Sequence, residues 1–155
     1  MTNSVVLHRY LDDTLITLKH AVSSPKKLHQ ELAALLSKKI GSNKEKVIYH
    51  CLLEREKLGN TGIGNGVALP HSRCEFINNA VIAIITLDKP INYDSLDKQP
   101  VDVAFGLLVP QEANDEHLQI LAEIAHFMSQ QSNKKQLLNA STPEQVIELI
   151  KNWQT

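Results

Sequence analysis

Apolar residues in the first third of the chain recur every three or four positions, which is the spacing of one face of an α-helix. The first such series is Leu28, Leu32, Leu35, Leu36 and Ile40. Ser24 and Pro25 precede it as an N-cap and first-turn pair, and Gly41 follows it as a stop. The pattern predicts a helix between Ser24 and Gly41.

A second helix is predicted directly after the first. Ser42 and Glu45 match a capping box, and Gly59 matches a helix end. The predicted buried stripe consists of Val47, Ile48, Cys51 and Leu52. Two consecutive helices therefore precede the middle of the chain.

Short apolar runs rich in Val and Ile occupy the middle of the chain, at 67–69, 80–87 and 101–109. Prolines bound them, and they predict strands that are buried on both faces. The interval between residues 87 and 101 is too short and too polar for a crossover helix, so we expect a mixed rather than a wholly parallel sheet. Residues 15–18 predict a further strand at one edge.

Helical patterns return in the last third. Asn114 caps a predicted long helix, a shorter helix is expected after Ser132, and Thr142 opens a last one. Because strands buried on both faces need helices on both sides, we predict an α/β fold, a three-layer α/β sandwich with a mixed central sheet of about five strands. We expect one domain over residues 1–155.

The charge balance limits the function classes. The 155 residues include 16 Lys and Arg against 17 Asp and Glu, a net charge of −1. This balance lacks the long-range field that a non-specific nucleic-acid or membrane-surface binder uses. The chain shows no spanning or signal segment, so we expect a cytoplasmic protein with no nucleic-acid partner and no membrane insertion.

Four glycines lie within the eight residues 59–66, just before a predicted strand. Glycine-rich backbone can approach another group closely, so the segment suits a loop that wraps an anion or fits under a partner surface. It matches neither a Walker loop nor a dinucleotide fingerprint. A flexible connection is the alternative interpretation.

His71 follows Pro70 at the end of the predicted strand 67–69, and ligands of open α/β sheets bind at that end of a strand. A free imidazole is mainly neutral and nucleophilic at cytoplasmic pH, and it leaves readily after accepting a group. His71 is therefore a candidate for reversible group transfer. The alternative is an ordinary core or loop histidine.

Two further residues are candidates for the same site. Arg55 lies in the buried stripe of the second helix and suits capture of a phosphoryl group, although it could instead pair with Glu54 or Glu56. His117 lies in the first turn of the helix capped by Asn114. There it suits a neutral donor to phosphoryl oxygens, or else a simple exposed residue.

The stretch from Arg55 through the glycines to His71, followed by His117 and Leu118, resembles a known family. It is similar to the enzyme IIA domain of the fructose/mannitol type (type 2) in the phosphoenolpyruvate-dependent phosphotransferase system, most closely the stand-alone nitrogen-type member. The resemblance implies that His71 accepts a phosphoryl group on the nitrogen remote from its Cβ, while Arg55 and His117 line the pocket. Ser72 departs from the Gly or Ala usual there.

The resemblance also implies partners. The phosphoryl donor would be a histidine phosphocarrier protein of the HPr or NPr type, docking over an apolar rim for which Ile63 and Val67 are candidates. The protein would be a phosphotransferase that regulates target proteins, such as kinases or ion-transport regulators, through its phosphorylation state. It needs no cofactor and no metal.

Three other functions remain open from the sequence. A sugar-specific enzyme IIA would pass its phosphate to an enzyme IIB. A zinc hydrolase could use His71, Cys74 and His117, because His-x-x-Cys is a possible ligand spacing. A binding module with an inactive site is the third.

Overall fold

The computed structural model describes residues 6–112 and 114–153. Its strands are β1 (Ile16–His20), β2 (Gly62–Gly64), β3 (Val67–Ala68), β4 (His71–Cys74), β5 (Val81–Ile91) and β6 (Val101–Pro110). Its helices are α1 (Pro25–Ile40), α2 (Glu45–Leu58), α3 (Asp115–Ser129), α4 (Gln131–Asn139) and α5 (Pro143–Lys151). Short 3-10 turns lie at Leu7–Tyr10, Asp13–Leu15 and Ser42–Lys44.

The six strands form one mixed sheet in the order β1-β5-β6-β3-β2, with β4 also paired to β6. β5 and β6 are antiparallel, β1 is parallel to β5, and β3 and β4 are parallel to β6. The predictions of a mixed sheet and of the edge strand β1 are confirmed. β5 extends through Pro90 to Ile91, which is further than predicted. Its pairing with β6 shifts register between Thr86 and Ile91, and a proline is tolerated at such an irregularity.

Alternate side chains of the sheet enter two separate hydrophobic cores. Along β6, Phe105 and Leu107 join the core under α3, α4 and α5, whereas Ala104 and Leu108 join the core under α1 and α2. This arrangement is the predicted three-layer α/β sandwich. No helix of the residues described is both long and apolar enough to cross a bilayer.

β3 and β4 are two parts of one interrupted strand. Val67 pairs with Val103 and His71 with Leu107, so both parts keep the same register along β6. Pro70 lies between them, and its missing N–H removes one ladder hydrogen bond. His71 thus follows the end of β3 as expected, but it also opens β4, a strand segment that the sequence did not predict.

The glycine-rich segment is a short hairpin rather than a loop. β2 pairs antiparallel with β3, and Gly64, Asn65 and Gly66 make the turn with φ values of 91°, 56° and 74°. Glycine meets the backbone demand of this turn because left-handed φ angles strain other residues. The interpretation of the glycine-rich segment as a loop or flexible connection is therefore wrong for residues 62–64, whereas the strand predicted from residue 67 is confirmed by β3.

Most predicted helix ends are confirmed. Ser24, Asn114 and Thr142 cap α1, α3 and α5 with their side chains. The capping box of Ser42 and Glu45 is wrong, because a 3-10 turn over Ser42–Lys44 leads directly into α2 and no side chain caps it.

Two smaller predictions about the helices also need correction. In α2, Ile48 and Leu52 are buried as predicted, but Val47 lies about 100° round the helix from Ile48 and is exposed. α4 begins at Gln131, before Ser132.

A buried carboxylate ties the amino-terminal turn to α3. Glu123 accepts hydrogen bonds from the backbone N–H groups of Val6 (3.1 Å) and Leu7 (3.2 Å). The hydroxyl of Tyr10 donates to Glu116 at 3.1 Å, nearer the start of the same helix. Residues 6–10 are thus attached to α3 both near its start and further along the helix.

Substitution of Gly66 by Ala is expected to destabilise the fold by about 1–3 kcal/mol. A Cβ at residue 66 would contact the Lys134 ammonium and the Asp102 carboxylate. The residue also has a left-handed φ of 74°, which strains any residue other than glycine. Gly59→Ala is the control, because Gly59 has extended φ and no heavy atom within 4 Å of an added Cβ. Urea unfolding measures both variants, and equal midpoints would show that the turn tolerates a side chain at residue 66.

Candidate functional site

The ring of His71 has a defined hydrogen position. Its Nδ1 lies 2.7 Å from the carbonyl oxygen of Leu69. A carbonyl can only accept, so Nδ1 must carry the hydrogen. In the neutral ring, Nε2 then holds a free lone pair, and the half-buried imidazole can act as a nucleophile through that atom.

The Leu69 carbonyl can accept this bond because the N–H that would normally pair with it in the sheet bonds elsewhere. Leu69 N–H donates to the carbonyl of Thr61 at 2.9 Å. In an antiparallel pair, the N–H of Thr61 would normally return a bond to the Leu69 carbonyl. It donates instead to Glu56 Oε2 at 2.7 Å, which leaves the Leu69 carbonyl to His71.

His117 has the opposite tautomer. Its Nδ1 accepts the backbone N–H of Asn114 at 3.1 Å, so the hydrogen of the neutral ring is on Nε2. The residue is buried rather than exposed. His71 pairs with Leu107, whose side chain faces the α3 layer, and β3, β4 and β6 are parallel. Both imidazoles therefore belong to the same face of the sheet.

Arg55 approaches the site from the end of α2. Its Nη1 donates to the carbonyl of Gly59 at 2.8 Å, and no carboxylate in the described part of the chain forms an ion pair with it. The alternative of pairing with Glu54 or Glu56 is therefore wrong. The half-buried guanidinium keeps donors for a further acceptor.

Four influences set the pKa of His71. Burial is the largest and lowers the pKa, the Leu69 carbonyl raises it, the Arg55 charge lowers it and the Glu56 charge raises it. The net result is a pKa below the ordinary value for histidine. At neutral pH the ring is therefore uncharged and able to attack an electrophile.

Three backbone N–H groups of the glycine-rich segment are not available to an anion. Thr61 N–H donates to Glu56, Gly62 N–H to the Asn60 side chain at 2.7 Å, and Asn65 N–H to Asp97 at 3.0 Å. These donors are already satisfied within the protein. The expected anion-wrapping role is wrong for them.

The zinc hypothesis receives no support from the geometry. Among residues 6–112 and 114–153, no three His, Cys, Asp or Glu side chains are grouped to hold a metal. Cys74 is buried in the core under α1 and α2, on the face opposite to His71. Burial and the neighbouring Cys51 raise the pKa of its thiol to about 12, which disfavours a thiolate ligand.

Exposed aliphatic side chains lie at the end of α2, on the hairpin, in the β5–β6 connection and at the start of α3. Ile63 of β2 is 43% exposed, Leu58 precedes Gly59 at 86%, Leu96 is 97% exposed and Leu118 follows His117 at 61%. Val67, the other rim candidate, is wrong because its side chain is 1% exposed. We define Leu58, Ile63, Leu96 and Leu118 as the aliphatic rim.

Comparison with known proteins identifies the family. The model of the family described as "Phosphoenolpyruvate-dependent sugar phosphotransferase system, EIIA 2" matches residues 9–153. The chain belongs to this family. Type 2 enzyme IIA proteins are components of the phosphotransferase system, so the chain has a phosphocarrier role.

Several relatives of this enzyme IIA chain are named as nitrogen regulatory proteins. That of Pseudomonas aeruginosa is 36% identical over 127 residues, covering 82% of both chains. That of Bradyrhizobium diazoefficiens is 42% identical over 126 residues, covering 81% of both. The crystal structure of nitrogen regulatory protein IIA-Ntr from Neisseria meningitidis superposes with a TM-score of 0.87 at 36% identity, over 92% of this chain and 97% of that one.

Sequence reasoning missed a set of polar residues in this enzyme IIA domain. Glu56, Thr61, Tyr93 and His29 form a hydrogen-bonded cluster beside the site. The sequence alone predicts no functional role for His29 or for Thr61. The available signal was the helical spacing of His29 to Leu32, which places a titratable ring on the buried stripe of α1.

Replacing Arg55 by Gln should raise the pKa of His71 towards its ordinary value of about 6.5, because a positive charge that disfavours ring protonation is removed. Burial keeps the pKa below that value. NMR titration of the His71 ring carbons measures the shift. Arg73→Gln, an exposed arginine of β4, is the control and should leave the titration unchanged. An unaltered pKa in Arg55→Gln would refute the electrostatic contact.

Proposed function

We propose that this type 2 enzyme IIA accepts a phosphoryl group on Nε2 of His71 from a histidine phosphocarrier protein of the HPr or NPr type. The observation that carries the proposal is the hydrogen bond from His71 Nδ1 to the Leu69 carbonyl. It commits the hydrogen to one nitrogen and leaves the other as nucleophile. In this role the protein is a phosphotransferase, and His71 is its catalytic residue.

The transfer step needs little covalent work from the protein. The Nε2 lone pair of His71 attacks phosphorus while the P–N bond of the donor phosphohistidine breaks, and the electron pair returns to the donor ring. The His71 hydrogen stays on Nδ1 throughout. Arg55 and the Nε2–H of His117 stabilise the charge on the equatorial phosphoryl oxygens, which is the main demand of such a reaction. No cofactor or metal enters this balance.

The aliphatic rim supplies the docking surface for the donor. Exposed leucine and isoleucine side chains around a polar centre are typical of protein contact sites. A phosphocarrier must bring its own phosphohistidine within reach of His71, so its surface has to cover the rim. After transfer, the phosphate adds between about −1.5 and −2 charges to this face at pH 7, which changes the partners that can bind there.

The regulatory assignment is supported by the relatives named as nitrogen regulatory proteins. We propose that residues 1–155 act as one cytoplasmic domain, whose phosphorylation state is read by target proteins such as kinases or ion-transport regulators. The sugar-specific alternative differs in one respect, because its phosphate moves on to an enzyme IIB.

Incubation with a radiolabelled phosphocarrier should label the wild type at a histidine and leave His71→Ala unlabelled. Arg55→Ala and His117→Ala should react about 100-fold more slowly, the usual effect of removing one charge-stabilising donor. His126→Ala, an exposed histidine on the same helix, is the control and should react like the wild type. Labelling of His71→Ala would remove the assignment. Loss of label to a fructose-type or mannitol-type IIB would favour the sugar-specific role.

Placing a charge on the rim should weaken docking without disturbing the chemistry. Leu118→Glu is expected to raise the KM for the phosphorylated carrier about tenfold and to change kcat little, because desolvation of the new carboxylate opposes apolar contact. Val47→Glu tests an exposed apolar residue near the other end of α2, and its kinetics should match the wild type. If both variants or neither variant altered KM, the rim would not be the docking surface.

A further inference from the structure

A buried polar cluster lies directly behind the site and contains the residues His29, Glu56, Thr61 and Tyr93. They come from four separate parts of the chain: α1, α2, the start of the hairpin and the β5–β6 connection. Polar groups removed from water in this way are costly unless they are hydrogen-bonded. Nothing in the transfer chemistry described above uses them.

The direction of each hydrogen bond in the cluster follows from the Glu56 carboxylate. It accepts the Thr61 hydroxyl at 2.6 Å, the Thr61 backbone N–H at 2.7 Å and the Tyr93 hydroxyl at 3.0 Å. Since the Tyr93 hydrogen is used, His29 Nε2 donates to the Tyr93 oxygen at 2.7 Å. Burial alone would raise the pKa of Glu56, but His29, whose Nε2 also lies 3.4 Å from Oε1, and the bonds from Thr61 and Tyr93 outweigh burial and lower the pKa. Glu56 is therefore a fixed anion.

The cluster reaches His71 through two backbone groups. Thr61 is opposite Leu69 in the hairpin register, and the Leu69 N–H bonds the Thr61 carbonyl. The returning N–H of Thr61 is held by Glu56, so the Leu69 carbonyl has the His71 ring as its partner. Without the carboxylate, Thr61 N–H would be able to close the ladder pair and compete for that carbonyl.

We propose that Glu56 is a positioning residue: by holding the Thr61 N–H, it reserves the Leu69 carbonyl for His71 and so keeps the imidazole hydrogen on Nδ1. His29 and Tyr93 hold the carboxylate in place for this purpose. The consequence for phosphoryl transfer rests on the proposed function, whereas the effect on the tautomer does not.

The charge of Glu56 has a second effect on the ring. It favours a positive imidazole, in opposition to Arg55. A ring that holds a phosphoryl group on Nε2 and a hydrogen on Nδ1 is formally cationic, so the carboxylate stabilises that state. Arg55 acts on the anionic phosphoryl oxygens in the same site, and the two charges serve different parts of one adduct.

NMR spectroscopy of the ring nitrogens tests the proposal on the intact protein. The wild type should show His71 as the Nδ1–H tautomer. Glu56→Gln keeps the side-chain shape but replaces an acceptor oxygen by a donor, so the spectrum should shift towards a mixture of tautomers, and the pKa of His71 should fall. Glu54→Gln, an exposed carboxylate of the same helix, is the matched control and should change neither quantity.

Phosphoryl transfer gives an independent reading. In Glu56→Gln, kcat should fall about 10- to 100-fold while the KM for the carrier stays near the wild-type value, because the aliphatic rim is intact and only the reacting nitrogen is misplaced. Tyr93→Phe removes one donor to the carboxylate and should give a smaller change in the same direction. If Glu56→Gln fails to fold, Tyr93→Phe still tests the positioning role of Glu56.

The outcomes separate the two proposals. If the wild type takes no label from any phosphocarrier, the proposed function fails, and the tautomer and titration data still decide the role of Glu56. If a folded Glu56→Gln or Tyr93→Phe keeps the wild-type tautomer, the positioning role is wrong even when transfer is slowed.

Discussion

The hydrogen bond between the His71 ring and the Leu69 carbonyl is the interaction on which the site depends. It accompanies the absence of one ordinary sheet contact. Glu56 holds the Thr61 N–H, which would otherwise return a ladder bond to the Leu69 carbonyl. A carbonyl deep in a sheet, normally used for strand pairing, thereby becomes a fixed acceptor for a side chain. The tautomer of His71 thus depends on a local irregularity in the sheet.

The backbone partners of His71 and His117 give the two rings opposite tautomers. A carbonyl faces Nδ1 of His71 and makes it a donor, whereas an N–H faces Nδ1 of His117 and makes it an acceptor. In the neutral rings, the remaining nitrogen of His71 then has a free lone pair, and that of His117 carries the hydrogen. The residue type alone does not distinguish these roles.

The fold could be predicted from the sequence because it follows from local patterns, and a local motif also indicated the three candidate site residues. Caps, apolar periodicity and the short β5–β6 connection specify the three layers and the mixed sheet, and the order of Arg55, the glycines, His71 and His117 indicates the family. The cluster of Glu56 and Tyr93 joins elements distant in sequence, so no local pattern indicates it. The same holds for β4, whose pairing with β6 is a long-range contact.

The attachment of the amino-terminal turn to Glu123 bears on biosynthesis. The backbone N–H of Val6 and its acceptor are 117 positions apart. At translation rates of about 5–20 residues per second, the donor is synthesised roughly 6–23 s before the acceptor. The hydrogen bonds from Val6 and Leu7 to Glu123 can therefore form only after α3 has been synthesised, and the core under α3, α4 and α5 is completed late.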